Sequence, residues 1–429
     1  MPIVDPTLAR DFAVDVVRAL RAAGHQALWA GGCVRDQLMG TQPKDYDVAT
    51  DAAPERVREI FGQRRTLALG ASFGVITVLG PKGAGQIEVA TFRQDAGYSD
   101  GRHPDAVTFS DAEHDAQRRD FTINGLFFDP LAEQVIDYVD GQRDIQQGVV
   151  RAIGNPLARI AEDKLRMLRA VRFAARFGFA LEERTLAAVR QQAHELVIVS
   201  AERIAAELRL ILTHTNRARG VELLADSGLL EVVLPESSPL LQDGNAWSRT
   251  TRILELLAAP TFAMALAAIL REIQIAHEGS DLAQVVFERW KLTNEERDGV
   301  QKLLREQPMI RTARAQPWPK LQRLLIAPRV NELLGYCEAV SLAHDGSAAE
   351  IEFCRQKLAL PAAELNPPPL LTGDDLKRLG IPPGPAYRPL LDAVRDAQLE
   401  GQIATTDDAV ALVRQLHGFP GPHRPADSG

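Results

Sequence analysis

The sequence predicts an α+β N-terminal domain, a small mixed sheet with helices, followed by all-α domains. Three observations carry that reading. Two β-branched runs, Val75–Leu79 and Gln86–Thr91, are split by Gly80-Pro81-Lys82-Gly83, the pattern of a hairpin. Residues 26–30 read as a strand that ends at Gly31-Gly32, with a helix starting over 33–39. From about Leu157 onward the strand signal fades and apolar residues recur at helical spacing.

The other elements follow in order. Residues 46–49 form a second short strand, and 53–61 fit a helix with Pro54 at its first position. Residues 97–104 are a Gly/Ser/Asp loop. Helices are expected over 159–177, 182–193, 201–213 and 217–227, the third capped by Ser200 with Glu202 in its first turn. Past Pro235 the chain stays helical to about Leu416. Leu365-Asn366-Pro367-Pro368-Pro369 breaks it before a last unit of two or three helices. The expected domains are 1–150, 151–235, 236–364 and 365–416, with a disordered tail over 417–429.

With 45% hydrophobic and 25% charged residues, the composition excludes a mostly disordered chain. No apolar run approaches the roughly 20 residues needed to cross a bilayer. The first ten residues, with Asp5 and two prolines, lack a signal pattern. Three cysteines cannot form a disulfide framework or a four-ligand zinc site alone, which fits a reducing cytoplasm. The net charge is −8, so any contacts to nucleic acid must come from locally concentrated basic residues.

The sharpest cluster is Gly31-Gly32-Cys33-Val34-Arg35-Asp36, followed by Asp45-Tyr46-Asp47. Two glycines between a strand and a helix let backbone N–H groups approach a phosphate, and Arg35 can add a charge-assisted contact. Residues i and i+2 of a strand share a face, so Asp45 and Asp47 project together, and paired carboxylates beside a phosphate site hold Mg²⁺ well. Taken singly, each half is an ordinary Gly turn or a surface acidic pair. Glu88 is a charge inside an apolar strand, an exposed-face residue, a third metal ligand or an orienting carboxylate. Arg118-Arg119-Asp120-Phe121-Thr122-Ile123-Asn124 reads locally as a charged helix start with Asp120 as cap.

The order GGCVRD, DYD, RRDFTIN and EDKLR resembles the class II tRNA nucleotidyltransferase (CCA-adding enzyme) and bacterial poly(A) polymerase family, densely from Leu28 to about Pro235. The resemblance implies a DNA polymerase β-like nucleotidyltransferase fold for the head, then helical neck, body and tail. It implies template-independent addition of nucleotides to an RNA 3′ end, with CTP and ATP as substrates and a two-metal Mg²⁺ site. Asp45 and Asp47 would hold the metal; Gly31, Gly32, Arg35 and Arg119 the triphosphate; Asp120 the ribose. Asn124 belongs to the same motif, whose usual next residue is Ala and here is Gly125. Asp100-Gly101-Arg102 resembles the family's flexible loop, and 137–153 its hinge between head and neck.

Glu162-Asp163-Lys164-Leu165-Arg166 is expected on one helix, where Asp163 and Arg166 share a face and Glu162 can pair with Arg166. An isolated EDxxR is ordinarily a solvated salt-bridged face; the resemblance makes Glu162, Asp163 and Arg166 the nucleobase selectors. Residues 151–176 carry seven basic side chains against two acidic ones, a local charge of +5. Of these, Arg169, Arg172 and Arg176 are either a solvated face or contacts to RNA or triphosphate.

Some family members carry a metal-dependent HD phosphohydrolase domain in the second half. Here Arg271-Glu272 stands where the His-Asp pair would fall, and a guanidinium cannot ligate a metal. The residues 371–376 and the turn 382–385 resemble the family's C-terminal unit. The expected partner is the tRNA 3′ end, with no membrane and no DNA. Poly(A) addition, or addition of only CC or only A, would use the same motifs. A phosphohydrolase or an inactive RNA-binding protein is disfavoured by the missing His-Asp pair and the intact Asp45 and Asp47.

Overall fold

The computed structural model describes residues 4–70, 74–96, 106–277, 282–344 and 346–417. The chain divides into two compact units, Met1–Thr251 with Glu272–Thr293, and Arg252–Arg271 with Asn294–Gly429. The expected divisions at 150 and 235 fall inside the first unit, and that at 364 inside the second.

The first unit opens with α1 (Pro6–Ala22), started by the Asp5 carboxylate accepting from Thr7 N and Leu8 N at 2.8 and 3.2 Å. β1 (Ala27–Ala30) turns at Gly31 into α2 (Gly32–Leu38). β2 (Asp47–Thr50) precedes α3 (Pro54–Phe61), which has Pro54 in its first turn. β3 (Thr66–Gly70), β4 (Val75–Leu79) and β5 (Gln86–Thr91) follow, with β4 and β5 forming the expected hairpin. β6 (Arg93–Ala96) and β7 (Ala106–Phe109) make a separate antiparallel ribbon. α4 (Ala112–Gln117) leads to a single 3₁₀ turn at Thr122–Asn124, and β8 (Leu126–Asp129), β9 (Gln134–Asp137) and α5 (Gly141–Gln147) complete the domain.

The sheet order is β3-β4-β5-β2-β1-β8-β9. Only the β2–β5 pair among these neighbours is parallel. Strand alternation sends Trp29, Val48, Val89 and Phe128 into one core, against Phe12, Val16 and Leu20 of α1 and Val57 of α3. Leu28, Ala49 and Phe127 go to the opposite face, against Ala112 and Ala116 of α4. That alternation sets the site, because Asp47 and Glu88 are register partners on the face shared by Ala49.

β10 (Val149–Val150) is followed by α6 (Pro156–Glu162), α7 (Arg166–Phe177) and β11 (Ala180–Leu181), which pairs with β10 in parallel. Then come α8 (Glu183–Gln192), α9 (Ala201–Leu212), α10 (Arg217–Asp226) and α11 (Leu229–Val233). Two sequence expectations need correction. The helix expected over 159–177 is broken: Asp163 is extended at φ −147°, ψ 107°, ending α6, and α7 starts afresh at Arg166. Leu165 N donates to the Asp163 carboxylate at 3.1 Å and Arg203 holds that carboxylate at 2.8 Å, which outweighs the helix propensity of EDKL. Ser200 is the N-cap of α9, yet its side chain caps no first-turn amide and instead bonds Glu202.

The second unit is helical through Asn294–Arg311, Trp318–Leu325, Val330–Ala343 and Ala349–Leu358. After the Pro-rich break, Thr372 and Asp375 form a capping box on Gly373–Arg378, and Tyr387–Leu399 and Thr406–His417 pack around Leu376, Ile381, Val394 and Val413. Of the tail expected over 417–429, His417 instead ends the last helix and 418–429 lie outside the described residues, as does Asp100-Gly101-Arg102. Among the described residues no helix is long and apolar enough to cross a membrane.

Candidate active site

A polar pocket of about 450 Å³ opens in the first unit between the head sheet and α7. Gly31, Gly32, Arg35, Asp47, Arg119 and Asp120 line one side. Asn124, Asp163, Arg166, Arg169 and Phe173 are also in its wall, and so is Arg118. Residues far apart in sequence, from GGCVRD, DYD, RRDFTIN and EDKLR, thus face one space.

Gly31 sits at φ +72° as the N-cap of α2, with no side chain capping the first-turn amides. A Cβ there would lie 2.7 Å from Arg119 Nη1. Gly31→Ala therefore meets both a strained backbone and a displaced arginine. We expect it to cost about 1–2 kcal/mol of stability and at least about tenfold in nucleotide addition. An unchanged melting point and kcat/KM would refute this.

Asp45 and Asp47 are exposed while Tyr46 between them is 4% exposed, so the two carboxylates share a face although β2 begins only at Asp47. Neither pairs with a described cation. Surrounding protein, then Glu88, push the Asp47 carboxyl up to about 6, against the opposing pull of Arg119; Asp45 adds to the rise. This crowding of negative charge suits a divalent cation. Among the described residues no three His, Cys, Asp or Glu side chains converge closely enough to ligate one ion. The donor set thus fits a metal held by Asp45 and Asp47 with further oxygens from a phosphate. Glu88 stands beside Asp47 and contributes charge to it.

Arg35 is 4% exposed; it donates to Asp36 at 2.9 and 2.6 Å and to Asn124 Oδ1 at 2.5 Å, and lies over the Phe177 ring at 4.6 Å. Arg119 is held by Asp115 at 3.2 and 3.0 Å and donates to Asn124 O at 3.3 Å. The Gly125 position has no room for the usual Ala, since a Cβ would come 2.7 Å from Val139 Cγ2.

Asp120 accepts from Phe121 N at 2.8 Å, Asn124 Nδ2 at 3.0 Å, and Arg169 Nε and Nη2 at 2.9 and 2.7 Å. Burial pushes its carboxyl up, but the Arg169 charge and these donors outweigh it and hold the pKa at about 2, below the ordinary 3.8. A depressed folded pKa contributes stability at neutral pH that is lost as pH falls from about 4 towards 2. Asp120→Asn should therefore cost about 2 kcal/mol at pH 7. The melting-point gap to the parent should narrow on acidification; a gap as wide at pH 3 as at pH 7 would exclude this account.

Arg166 donates to Glu162 at 2.5 Å, to Arg159 O at 2.7 Å and to Arg118 O at 3.3 Å. Glu162 also accepts from Arg159 at 2.8 Å. The break between α6 and α7 leaves Asp163 and Arg166 both in the pocket wall without a shared helix. Arg169 lines the pocket, whereas Arg172 and Arg176 do not. Arg172 is 9% exposed against Glu207 at 2.5 Å, and Arg176 lies 3.9 Å from Asp36 and over Phe177.

Sequence reasoning missed Arg203 and Glu207 of α9, which hold Asp163 and Arg172. Their only sequence signal is a charged pair one helical turn apart inside a helix. Outside the pocket, Arg271 donates to His344 at 3.0 Å, Glu272 pairs with Arg249 at 3.4 Å, and His277 bonds Glu236 O at 3.0 Å. All three cysteines are buried and free, and burial pushes the Cys33 thiol up to about 11.

Residues 27–151 match the Poly A polymerase head domain, and 178–241 match the probable RNA and SrmB-binding site of polymerase A. The chain is 31% identical to a CCA-adding enzyme of Lactiplantibacillus plantarum, over 92% of this chain and 93% of that one. It is 34% identical to that of Limosilactobacillus fermentum, over 93% and 95%. The crystal structure of the Bacillus stearothermophilus CCA-adding enzyme in complex with CTP superposes with a TM-score of 0.77 at 28% identity, covering 95% of this chain and 97% of that one. Similarity of this depth along nearly the whole length, with the site motifs gathered in one pocket, means that the chain belongs to the family of CCA-adding enzymes, the tRNA nucleotidyltransferases.

Proposed function

We propose that the protein adds C and A from CTP and ATP to the 3′ end of tRNA without a nucleic-acid template, building or repairing the CCA terminus. One observation carries this reading: the glycine turn, Asp47, Arg119, and the Asp163–Arg166 pair face a single pocket.

The triphosphate lies along Gly31, Gly32, Arg35 and Arg119, where backbone amides and guanidinium groups meet its charge. Asp45 and Asp47 would hold Mg²⁺, which would supply charge neutralisation at the phosphates and activation of the RNA 3′-hydroxyl. Asp120 fixes Arg169 at the ribose side. Asp163 accepts from the exocyclic amine of cytosine or adenine, and Arg166 donates to the adjacent ring nitrogen. Uracil and guanine present the opposite polarity at both points, so the protein supplies the pairing that a template strand would otherwise give. The same reading keeps the head, neck, body and tail divisions at 150, 235 and 364.

The test is single-nucleotide extension of tRNAs ending before CCA, after C and after CC. CTP should extend the first by two residues and the second by one, and ATP should extend only the third, by one. Repeated A addition on any of them would identify a poly(A) polymerase. Extension by CTP alone or by ATP alone would identify a partial enzyme.

A further inference from the structure

Asp115 of α4 is a buried carboxylate behind the pocket wall, its side chain 1% exposed. Each of its oxygens is committed to a different arginine. Oδ1 accepts from Arg118 Nε at 2.8 Å and lies 2.7 Å from Arg118 Nη2. Oδ2 accepts from Arg119 Nε at 3.2 Å and Nη2 at 3.0 Å. Oδ1 also takes Arg93 N at 3.4 Å, where β6 begins. Both arginines line the nucleotide pocket. Burial pushes the Asp115 carboxyl up, but Arg119 and then Arg118 outweigh it and hold it below the ordinary carboxylate value, so it is ionised at neutral pH.

Arg119 is fixed from several sides. Nη1 donates to Asn124 O at 3.3 Å, and the guanidinium lies 5.2 Å from the centre of the Phe127 ring. Nη1 also presses on the glycine turn, where a Cβ on Gly31 would come within 2.7 Å. Three of its five N–H groups are thus taken by described partners, and one on each Nη remains for a ligand. The helix that carries Asp115 is itself anchored, since Ala112 and Ala116 pack with Leu28, Ala49 and Phe127.

We propose that Asp115 is a positioning residue for the triphosphate: it aims Arg119 across the glycine turn, while its grip on Arg118 keeps the carboxylate from turning. This rests on the proposed function, in which Arg119 meets the triphosphate. A loose arginine loses rotamer freedom when it closes on a phosphate, and one held beforehand does not. Asp115 therefore contributes affinity for the triphosphate without touching it.

Calorimetric binding of CTP with Mg²⁺ to the full chain, in a double-variant cycle of Asp115→Asn and Arg119→Ala, tests this. The amide keeps one acceptor oxygen for the two arginines and turns an N–H₂ toward the other. Asp115→Asn should weaken CTP about fivefold to tenfold, the range for freeing one rotamer-rich side chain. In the Arg119→Ala background Arg118 still pairs the carboxylate, and there the same change should alter CTP affinity by less than about twofold. Cytidine, which has no phosphate, should bind Asp115→Asn and parent equally, whereas a merely structural role would weaken CTP and cytidine alike. Should Asp115→Asn fail to fold, Asp115→Glu, which keeps the charge and shifts it by a methylene, is carried through the same cycle. Equal losses of CTP affinity in both backgrounds, or an unchanged affinity with Arg119 present, would overturn the proposal. A parent that binds no CTP would refute the proposed function and this inference together; equal losses in a parent that binds CTP would refute this inference alone.

Discussion

Asp45→Ala and Asp47→Ala are each expected to reduce nucleotide addition by a factor of about 10³ or more, equivalent to roughly 4 kcal/mol of lost transition-state stabilisation. Neither should lower the melting point. Both side chains are exposed, neither pairs with a described cation, and Asp47 is crowded by Glu88 and Asp45. Removing one carboxylate relieves that repulsion, so stability stays level or rises slightly. Loss of function without loss of stability separates a ligand site from a structural pair. A double alanine variant with near-parental addition in Mg²⁺ would sink the assignment.

The second large effect is on base choice. In the proposed reading, correct pairing of cytosine or adenine satisfies both Asp163 and Arg166. Uracil would set its O4 against the carboxylate and its ring N–H against Arg166. Each buried mismatch costs roughly 1–3 kcal/mol, and two together reject uracil by a factor on the order of 10²–10⁴. Asp163→Asn should relax this, since an amide can turn its N–H₂ toward O4. It also gives up the charge facing Arg203, so the overall rate should fall as well. The expected result is a raised UTP-to-CTP ratio at lower rate. Arg166→Ala should instead damage CTP and ATP use alike. If Asp163→Asn still rejects UTP as strongly as the parent does, the pair does not read the base.

What the sequence disclosed depended on the range of the forces involved. The strands Val75–Leu79 and Gln86–Thr91 were legible because β-branched alternation and the Gly-Pro turn are local signals, and their bounds agree with the structure. Family resemblance and the residue patterns together named most of the residues that line the pocket but not Phe173, and they also named Asp45, Glu88 and Glu162, which are not in the lining. Beyond reach was the break at Asp163. Glu, Asp, Lys and Leu in a row give no reason to stop a helix, and the residue that draws Asp163 out is Arg203, forty positions away. The second commitment of Arg35, to Asn124 eighty-nine positions on, was equally invisible. Glu88 was ambiguous in one strand, and only the parallel register of β2 and β5 sets it beside Asp47.

Two of the groups that aim Arg166 are main-chain oxygens, those of Arg118 and Arg159. Every amino acid carries such an oxygen, so point substitution cannot delete it. The orientation of this guanidinium, the proposed base selector, is thus partly insulated from mutational drift at 118 and 159, while Glu162 stays vulnerable. A lineage could vary the side chains around this element and keep its nucleotide preference, so long as the backbone path through the α6–α7 break survives. Altered preference should then arise more readily by insertion or deletion in residues 163–165 than by surface substitution. In selection for enzymes that accept uracil, length changes there should outnumber side-chain changes at 118 and 159.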